Sequence, residues 1–416
     1  MDPGDVVTLR LAREELTCTV LESSDPSIVL VKLSSGYNIG IPKDHVLDVK
    51  VVKAFQGEKK TFKLEQNSAL PKIGLIITGG TIAAKLDART GGTKWLTDVN
   101  EFLAFYPGMG RIAQIKTIDV PFMMASESMI SEHWSMIASS VKKMVDDPEI
   151  EGVIVTHGTD FLSYTGAALS FFLQNLTKPV VLTYSQRSID RGSSDADLNL
   201  QCAARMALSE CAEVCLVGHA SENDDYCYAL RGTKVKKLHT SRRDAFKPIN
   251  TGPLAKVWPD KVTFLGTFKA RHTGTTELDA AYTDKVALVK FYPGQSPDIL
   301  DFYALKYKGI VVEVSGLGHL PVSESTTNWI PTLKKHIKKG LVVCAASQTM
   351  YGRLNPLVYS NGRELANSGV IFLEDMLAET AFVKLGWVLG HYGWKKHVSE
   401  KMLENVAGEF NPLLTA

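Results

Sequence analysis

The sequence predicts an α/β protein in which a small SH3-like β-barrel precedes a two-domain α/β body. Three observations support this prediction: short β-rich runs near the N-terminus, apolar runs alternating with helical segments from Ile73 onward, and a second such series from about residue 286. At 416 residues the chain is too long for one ordinary hydrophobic core. We therefore expect three domains, at residues 1–70, 71–285 and 286–416.

The first domain is predicted from five short runs that turn sequences separate. The runs are VVTLRL, LTCTVL, SIVLVKL, YNIGI and VLDVKVV. Five short strands at this spacing are typical of an SH3-like barrel. The next stretch, FQGEKKTFKLEQNSALPK, is polar and ends near a proline, so we expect it to be a linker.

The α/β body is predicted from the apolar runs IGLIIT and GVIVT, which are typical of parallel strands buried on both faces. Further runs, PVVLTYS and EVCLVG, alternate with helical segments, and this alternation predicts a doubly wound sheet. The third domain repeats the pattern with ALVKFYPG, GIVVEV and LVVCAA, followed by a late helix around KLGWVLG.

Composition restricts the classes of function. The 46 Lys and Arg residues almost balance the 45 Asp and Glu residues, so the chain has no strong field to attract nucleic acid. The N-terminus has acidic residues where a signal peptide needs basic ones, and we expect a cytoplasmic protein. No run approaches the roughly 20 apolar residues of a membrane span. Six scattered cysteines are expected to be reduced core thiols, without a metal or a disulfide.

A first candidate for chemistry is IGLIITGGTIA, where an apolar strand runs into a Gly79-Gly80 turn and then Thr81. Ligands of open α/β sheets bind beyond the carboxyl ends of strands, so Thr81 is well placed to be a nucleophile. The alternative is that the glycines only form a tight turn and Thr81 caps the following segment. The motif G-x-G-x-x-G is absent, which argues against a dinucleotide site.

A second candidate repeats this geometry in EGVIVTHGTDFLSYTGAAL. Here a strand ends at His157-Gly158-Thr159-Asp160, and a helix follows. The hydroxyl of Thr159 and the carboxylate of Asp160 are predicted to face the same crevice as Thr81. The alternative is that Asp160 caps the helix. We interpret His157 as a core histidine whose hydrogen bonds are satisfied, because no metal-ligand spacing accompanies it.

A third candidate is Lys237, in the basic and hydroxyl-rich segment KLHTSRRDAF. Taken alone, this segment is also compatible with a solvated basic loop.

TGGTIA, THGTD and KLHTSRRDAF, in this order, resemble the bacterial-type L-asparaginase family. The resemblance runs from about residue 73 to about residue 390 and implies a fold of two unequal α/β domains. It assigns the nucleophile to Thr81, and it assigns supporting catalytic roles to Thr159, Asp160 and Lys237. It also implies that Ser126 and Glu127 hold the amino-acid head of the substrate. We further predict that Gly80 and Gly158 belong to the substrate-binding site, where the turn at Gly158 can point backbone N–H groups at the carbonyl oxygen.

One departure points to a narrower family. Asparaginases generally carry a tyrosine in the lid that follows the nucleophile, whereas AAKLDARTGGTKW has none. The added barrel, the RTGG lid, the long SRRDAF signature and EDMLAETAFVKLGWVLG resemble the D-type subunits of archaeal glutamyl-tRNA(Gln) amidotransferases. This resemblance implies a homodimer core within a heterotetramer. It implies that a partner, the E-type subunit, uses ATP and magnesium to convert Glu-tRNA(Gln) to Gln-tRNA(Gln), while this chain needs no cofactor.

The resemblance implies hydrolysis of asparagine or glutamine through a covalent acyl-threonine. A threonine hydroxyl attacks an amide only with the help of a base and an oxyanion site. We predict a relay in which Lys237 and Asp160 communicate through Thr159. Two alternatives remain: a free-standing L-asparaginase and a non-catalytic scaffold protein. The preference for asparagine or glutamine stays open.

Overall fold

The computed structural model describes residues 1–55, 67–87, 90, 93–95, 105–189 and 191–413. Most of the predicted linker, residues 56–66, therefore lies outside the described residues, as do residues 88–89 and 91–92 of the predicted lid. The described strands form three main sheets, and the domain boundaries given above stay a prediction. No helix among the described residues is long and apolar enough to cross a membrane.

The N-terminal sheet contains the five predicted strands. They are β1 (Val6–Arg10), β2 (Glu15–Val20), β3 (Ile28–Leu33), β4 (Asn38–Pro42) and β5 (Asp48–Lys53). All neighbours pair antiparallel in the order β4-β3-β2-β1-β5. Alternate residues such as Val7, Leu9, Val29 and Val31 point into a small core of their own, because successive side chains of a strand face opposite sides.

The larger part of the body follows. Its elements are β6 (Lys72–Ile77), β7 (Ala84–Leu86), β8 (Thr93–Trp95), β9 (Gln114–Asp119), α1 (Ser131–Val145), β10 (Ile150–Thr156), α2 (Leu162–Phe172), β11 (Leu173–Gln174), β12 (Val180–Thr183), α3 (Ala196–Ala207), β13 (Val214–His219), β14 (Cys227–Arg231), β15 (Val235–Lys237), β16 (Phe246–Pro248), β17 (Ala255–Val257), β18 (Val262–Phe264) and β19 (Glu277–Leu278).

The main sheet of this part has eight strands in the order β18-β17-β14-β13-β12-β10-β6-β9. The five strands from β13 to β9 are parallel, whereas β14, β17 and β18 add an antiparallel edge. The predicted parallel strands are confirmed, and the antiparallel edge was not predicted. The parallel strands IGLII and GVIVT are buried almost throughout, which explains why their apolar runs are continuous.

Helices cover both faces of this sheet, as the doubly wound prediction requires. Helices α1 and α2 pack in one apolar cluster with β10, and α3 packs in a second cluster on the other face. In α1, Trp134, Ile137, Val141 and Met144 recur at helical spacing, and all four are buried.

The smaller part of the body is a second α/β unit. Its elements are β20 (Val286–Lys290), α4 (Ile299–Lys306), β21 (Gly309–Val314), α5 (Ile330–Lys338), β22 (Val342–Ser347), α6 (Ser360–Ala366), β23 (Ile371–Phe372), α7 (Ala378–Gly390) and α8 (Val398–Leu403). The four strands are parallel in the order β20-β21-β22-β23. Helix α7, which was predicted from KLGWVLG, packs against α2 and joins the two units, with Phe171 stacked on Trp387 at 5.7 Å between ring centroids.

Candidate active site

Two glycine turns meet at the carboxyl ends of neighbouring strands. Strands β6 and β10 are parallel, with Ile77 opposite Thr156, so both chains leave the sheet at the same level. The N–H and the hydroxyl of Thr78 donate to the carbonyl oxygen of Thr156 at 3.2 and 2.8 Å. The segments that follow Thr78 and Thr156 are therefore fixed against each other.

The turn before Thr81 requires glycine at two positions. Gly79 has a φ of 110° and Gly80 a φ of 79°, a left-handed conformation that L side chains rarely adopt. A Cβ atom on Gly80 would lie 2.5 Å from the Cα atom of Gly158. The two turns thus touch backbone to backbone, and Thr81 and Thr159 each follow directly after this contact.

Thr81 begins a short 3₁₀ helix, Thr81–Ala83, and is half-buried. The residue at the cap position is Gly80, with no side-chain capping bond, so the alternative that Thr81 caps a helix is wrong. Within the part of the chain that the structure describes, the Thr81 hydroxyl makes no hydrogen bond. Thr78, by contrast, is fully buried and its hydroxyl is already bonded, which leaves Thr81 as the available hydroxyl of this turn.

Lys237 lies between Thr159 and Asp160. Its Nζ donates to Oγ1 of Thr159 and to Oδ1 of Asp160, at 2.8 Å in each case. The lysine side chain is 13% exposed and the Asp160 side chain 62%. The interpretation of Lys237 as a solvated loop residue is therefore wrong. The predicted order of the relay is also wrong. The prediction placed Thr159 between Lys237 and Asp160, whereas the long side chain of Lys237 lies between Thr159 and Asp160 and bonds to both.

Asp160 does not cap helix α2. The cap position belongs to Phe161, without a side-chain capping bond, and the Asp160 carboxylate turns to Lys237 instead. The open side of this carboxylate faces solvent, where an ammonium group of a substrate can reach it.

Ser126 lies against the second turn, whereas Glu127 is exposed. Ser126 belongs to the 3₁₀ turn Ser126–Ser128 and is buried. Its Oγ accepts a hydrogen bond from the N–H of Phe161 at 3.3 Å, and a Cβ atom on Gly158 would lie 3.0 Å from it. Glu127 is exposed beside it and forms no ion pair with the described residues.

His157 supports the turn from inside. The ring is fully buried, with Nδ1 2.7 Å from the carbonyl oxygen of Gly158 and Nε2 2.9 Å from Oγ1 of Thr165. Burial lowers the pKa of His157 to about 4, against a smaller opposing effect of the bond to Gly158. The imidazole is neutral at physiological pH, in agreement with its interpretation as a satisfied core histidine.

The hairpin of β15 and β16 carries Lys237 and is anchored by charges that sequence reasoning missed. Lys234 donates to Oδ2 of Asp375 at 2.7 Å, and both side chains are buried. Lys236 forms an ion pair with Glu379 of helix α7. Both partners belong to the smaller unit, more than a hundred residues along the chain. Nothing in the local sequence signals these pairs, because all three lysines lie in one basic segment.

The side chains of Arg243, Tyr184 and Tyr106 form hydrogen bonds that fix the segments next to the candidate site. Arg243, in the loop of the Lys237 hairpin, donates to Oδ1 of Asp224 at 2.7 Å, and its carbonyl oxygen accepts a bond from the hydroxyl of Tyr184 at 3.0 Å. Tyr106 donates to the carbonyl oxygen of Ile82 at 2.7 Å, one residue beyond Thr81. Burial raises the pKa of Tyr106, so this phenol stays protonated.

No group of three or more metal-binding side chains occurs among the described residues. The six cysteines are buried free thiols. The candidate site consists of hydroxyls, one amine, two exposed carboxylates and glycine turns. This set of groups suits covalent acyl transfer.

Comparison with known proteins agrees with this geometry. Residues 72–269 match the model of the asparaginase N-terminal domain, residues 285–402 match the glutaminase/asparaginase C-terminal domain, and residues 1–52 match the GatD N-terminal domain. Among solved structures, the thermostable L-asparaginase from Thermococcus kodakarensis has a TM-score of 0.73 at 30% identity and covers 82% of this chain and 100% of its own. L-asparaginase I from Vibrio cholerae has a TM-score of 0.72 at 26% identity, covering 82% and 99%.

Curated relatives match over nearly the full length. The D-type subunit of the glutamyl-tRNA(Gln) amidotransferase of Thermococcus kodakarensis is 46% identical, over 97% of this chain and 91% of the relative. Its counterpart in Pyrococcus furiosus is 47% identical over 94% and 89%, and that of Methanococcus maripaludis is 39% identical over 99% and 98%. The predicted two-domain asparaginase-like body with an N-terminal β domain is confirmed, and the chain belongs to the family of glutamyl-tRNA(Gln) amidotransferase D-type subunits.

Proposed function

We propose that this chain is the ammonia-releasing component of a tRNA-dependent amidotransferase. It hydrolyses the side-chain amide of asparagine or glutamine, and a partner, the E-type subunit, uses the ammonia to convert Glu-tRNA(Gln) to Gln-tRNA(Gln). ATP and magnesium act in the partner. The observation that carries the proposal is the packing of the Thr81 turn on the Thr159 turn, with Lys237 bonded at this crevice.

In the first step, Oγ of Thr81 attacks the amide carbonyl carbon and loses its proton to the relay of Lys237 and Thr159. A lysine amine can accept a proton only in its neutral form. The proton then passes to the leaving nitrogen, the C–N bond breaks, and ammonia leaves. The product is an ester between the acyl group and Thr81. Water hydrolyses this ester and regenerates the hydroxyl.

The negative charge on the carbonyl oxygen needs donors that are already in place. The backbone N–H groups of Gly158 and Thr159 make no hydrogen bonds with other described residues, and they belong to the turn that touches Gly80. We assign the oxyanion site to these two groups. Asp160 binds the ammonium group of the amino acid through its exposed carboxylate, and Ser126 and Glu127 hold the head group next to it.

A free-standing L-asparaginase is less well supported, because residues 1–52 match the GatD N-terminal domain and the curated relatives that match nearly the whole chain are amidotransferase subunits. A non-catalytic scaffold is also disfavoured, since the hydroxyl, amine and carboxylate groups lie together at hydrogen-bond distance. The homodimer core and the cytoplasmic location predicted from the sequence stay predictions.

The test is ammonia release from asparagine and glutamine by the purified chain, alone and with the E-type partner and Glu-tRNA(Gln). We expect release to rise sharply when both are present and to rise less with uncharged tRNA. A Thr81→Val variant, which keeps the shape and removes the hydroxyl, should release no ammonia in any mixture. Equal rates of ammonia release by the isolated chain and by the full complex at saturating amide would show that the protein acts as a free-standing asparaginase.

A further inference from the structure

The smaller unit carries a groove of about 800 Å³ that the proposed reaction does not use. Lys308, just before β21, and Leu341, just before β22, lie on its wall, so the groove opens at the amino ends of these strands. Asp375 and Glu379, which anchor the Lys237 hairpin, follow the carboxyl end of β23. Because the strands are parallel, the groove lies at the opposite edge of the small sheet and a bound partner leaves the candidate active site open.

Aliphatic side chains at the ends of helices α4 and α7 form one part of the groove lining. Ala304 and Leu305 come from α4, and Val388 and Leu389 come from α7. Leu305 is 83% exposed, and Tyr392 at the rim is 91% exposed. A highly exposed leucine and tyrosine at an apolar groove mark an interaction site, because leaving apolar surface in water is unfavourable.

The rim of the groove is positively charged. Lys308, Lys339 and Lys395 line it, and none of them forms an ion pair with a described residue. Among the described residues of the lining, Asp301 is the one carboxylate, and it is already bonded to Lys335 at 2.7 Å and to His336 at 2.6 Å. A chain whose charges balance overall thus has a local excess of positive charge around an apolar floor.

This combination favours a protein segment over RNA. Single-stranded RNA is held mainly by stacking on exposed aromatic rings and by arginine, whereas the described lining of the groove contains no arginine. Of its aromatic rings, that of Tyr392 is highly exposed, while that of Tyr307 packs on Tyr303 and that of His391 stacks on Trp394. An amphipathic helix places an apolar face into such a groove and its charged edges against the rim. We propose that the groove binds an acidic amphipathic segment of the E-type partner. The identity of the partner rests on the proposed function.

The experiment measures the dissociation constant between the full chain and the purified E-type partner by isothermal titration calorimetry. Two variants attack the groove: Leu305→Asp, and Lys308→Glu combined with Lys395→Glu. Two matched controls lie on the same unit outside the groove. They are Leu357→Asp, at a leucine 61% exposed, and Lys334→Glu, on the exposed face of α5. Thermal melting confirms that each variant is folded, which the exposure of the replaced side chains favours.

We expect each groove variant to weaken binding at least 10-fold and each control to change it less than 3-fold. Higher salt should weaken the wild-type complex and affect the double charge variant less, because ions screen the rim. Groove variants that bind like wild type would overturn the proposal. So would a groove variant that only changes self-association in sedimentation, or only changes tRNA binding. A wild-type complex that forms without releasing ammonia would refute the proposed function and leave the docking surface standing.

Discussion

Two lysines three residues apart in the sequence, Lys234 and Lys237, each pair with a carboxylate, but the two pairs have different roles. Lys234 and Asp375 lie 2.7 Å apart with side chains 0% and 1% exposed, whereas Lys237 and Asp160 lie 2.8 Å apart with side chains 13% and 62% exposed. The distances are nearly equal, and the difference lies in the access of water and ligands. The first pair is closed on every side and fixes the hairpin, while the second keeps a carboxylate open to a substrate.

The surroundings of the buried pair explain why it is tolerated. Lys234 also donates to the backbone carbonyl oxygen of Asp375, and the Asp375 carboxylate accepts the N–H of Asn411. Burial lowers the pKa of Lys234, and the charge of Asp375 opposes that shift. A buried ion pair is stable only when its remaining hydrogen-bonding capacity is used in this way. The Lys237 pair has no such enclosure, which suits a group that exchanges protons.

The largest effect is expected at the open pair. Lys237→Met should lower the turnover number for ammonia release about 100-fold to 10,000-fold, because a positioned proton-transfer group contributes about that much. The melting temperature should stay close to that of wild type. Lys247→Met, on the partner strand of the same hairpin, is the matched control and should keep near-normal turnover. Ammonia release by Lys237→Met at the wild-type rate would show that the open pair is as structural as the buried one.

The next effect is expected at the buried pair. Lys234→Met leaves the Asp375 carboxylate buried without its partner, so the free energy of unfolding should fall by about 3–5 kcal/mol. Lys116→Met, which breaks surface ion pairs with Asp147 and Glu149, should lower the free energy of unfolding far less. Denaturant unfolding followed by circular dichroism compares the two. Equal, small losses would mean that burial does not distinguish these pairs.

The two lysine–carboxylate pairs also show which features could be predicted from the sequence and which could not. The strands were predictable because IGLII and GVIVT are continuous apolar runs, and the site was predictable because Thr81 and Thr159 each follow such a strand and a glycine. The anchors of the hairpin were not predictable: Asp375 lies 141 residues from Lys234, and a lysine in a basic segment carries no sign of its partner. The wrong relay order has the same cause, since side-chain reach across a crevice depends on packing.

The contact between Gly80 and Gly158 gives a third prediction, at the two turns that carry Thr81 and Thr159. Gly80→Ala places a residue with a side chain at a left-handed φ, which should lower the free energy of unfolding by about 1–3 kcal/mol. Its Cβ atom would also overlap the backbone of Gly158, and this overpacking should lower the free energy of unfolding by a similar amount. We expect lower stability and a loss of ammonia release together. Gly252→Ala, where a Cβ atom meets nothing within 4 Å, should be neutral in both assays. A stable and active Gly80→Ala variant would contradict the backbone contact of the two turns.

The smallest effect concerns a buried group that stays neutral. Because the pKa of His157 falls from 6.5 to about 4 on folding, the unfolded chain binds more protons between these values. The free energy of unfolding should therefore decrease as pH falls from about 6.5 to about 4, by about 3 kcal/mol from this group. His157→Asn, which keeps a donor near the carbonyl oxygen of Gly158, should lack this part of the decrease. Parallel pH curves for the two proteins would show that His157 is protonated without cost.

The central claim is that Thr81, beside the open Lys237 pair, forms the covalent intermediate. The most direct measurement is to incubate the enzyme with a diazoketone analogue of glutamine and to locate the adduct by fragmentation mass spectrometry of two peptides, the one that contains Thr159 and the one spanning residues 73–85. This peptide contains Thr78 and Thr81, so fragment ions distinguish the bonded and the available hydroxyl. We predict one adduct, on Thr81, and none in the Thr81→Val variant. An adduct on Thr159 would contradict the account and reverse the roles of the two threonines.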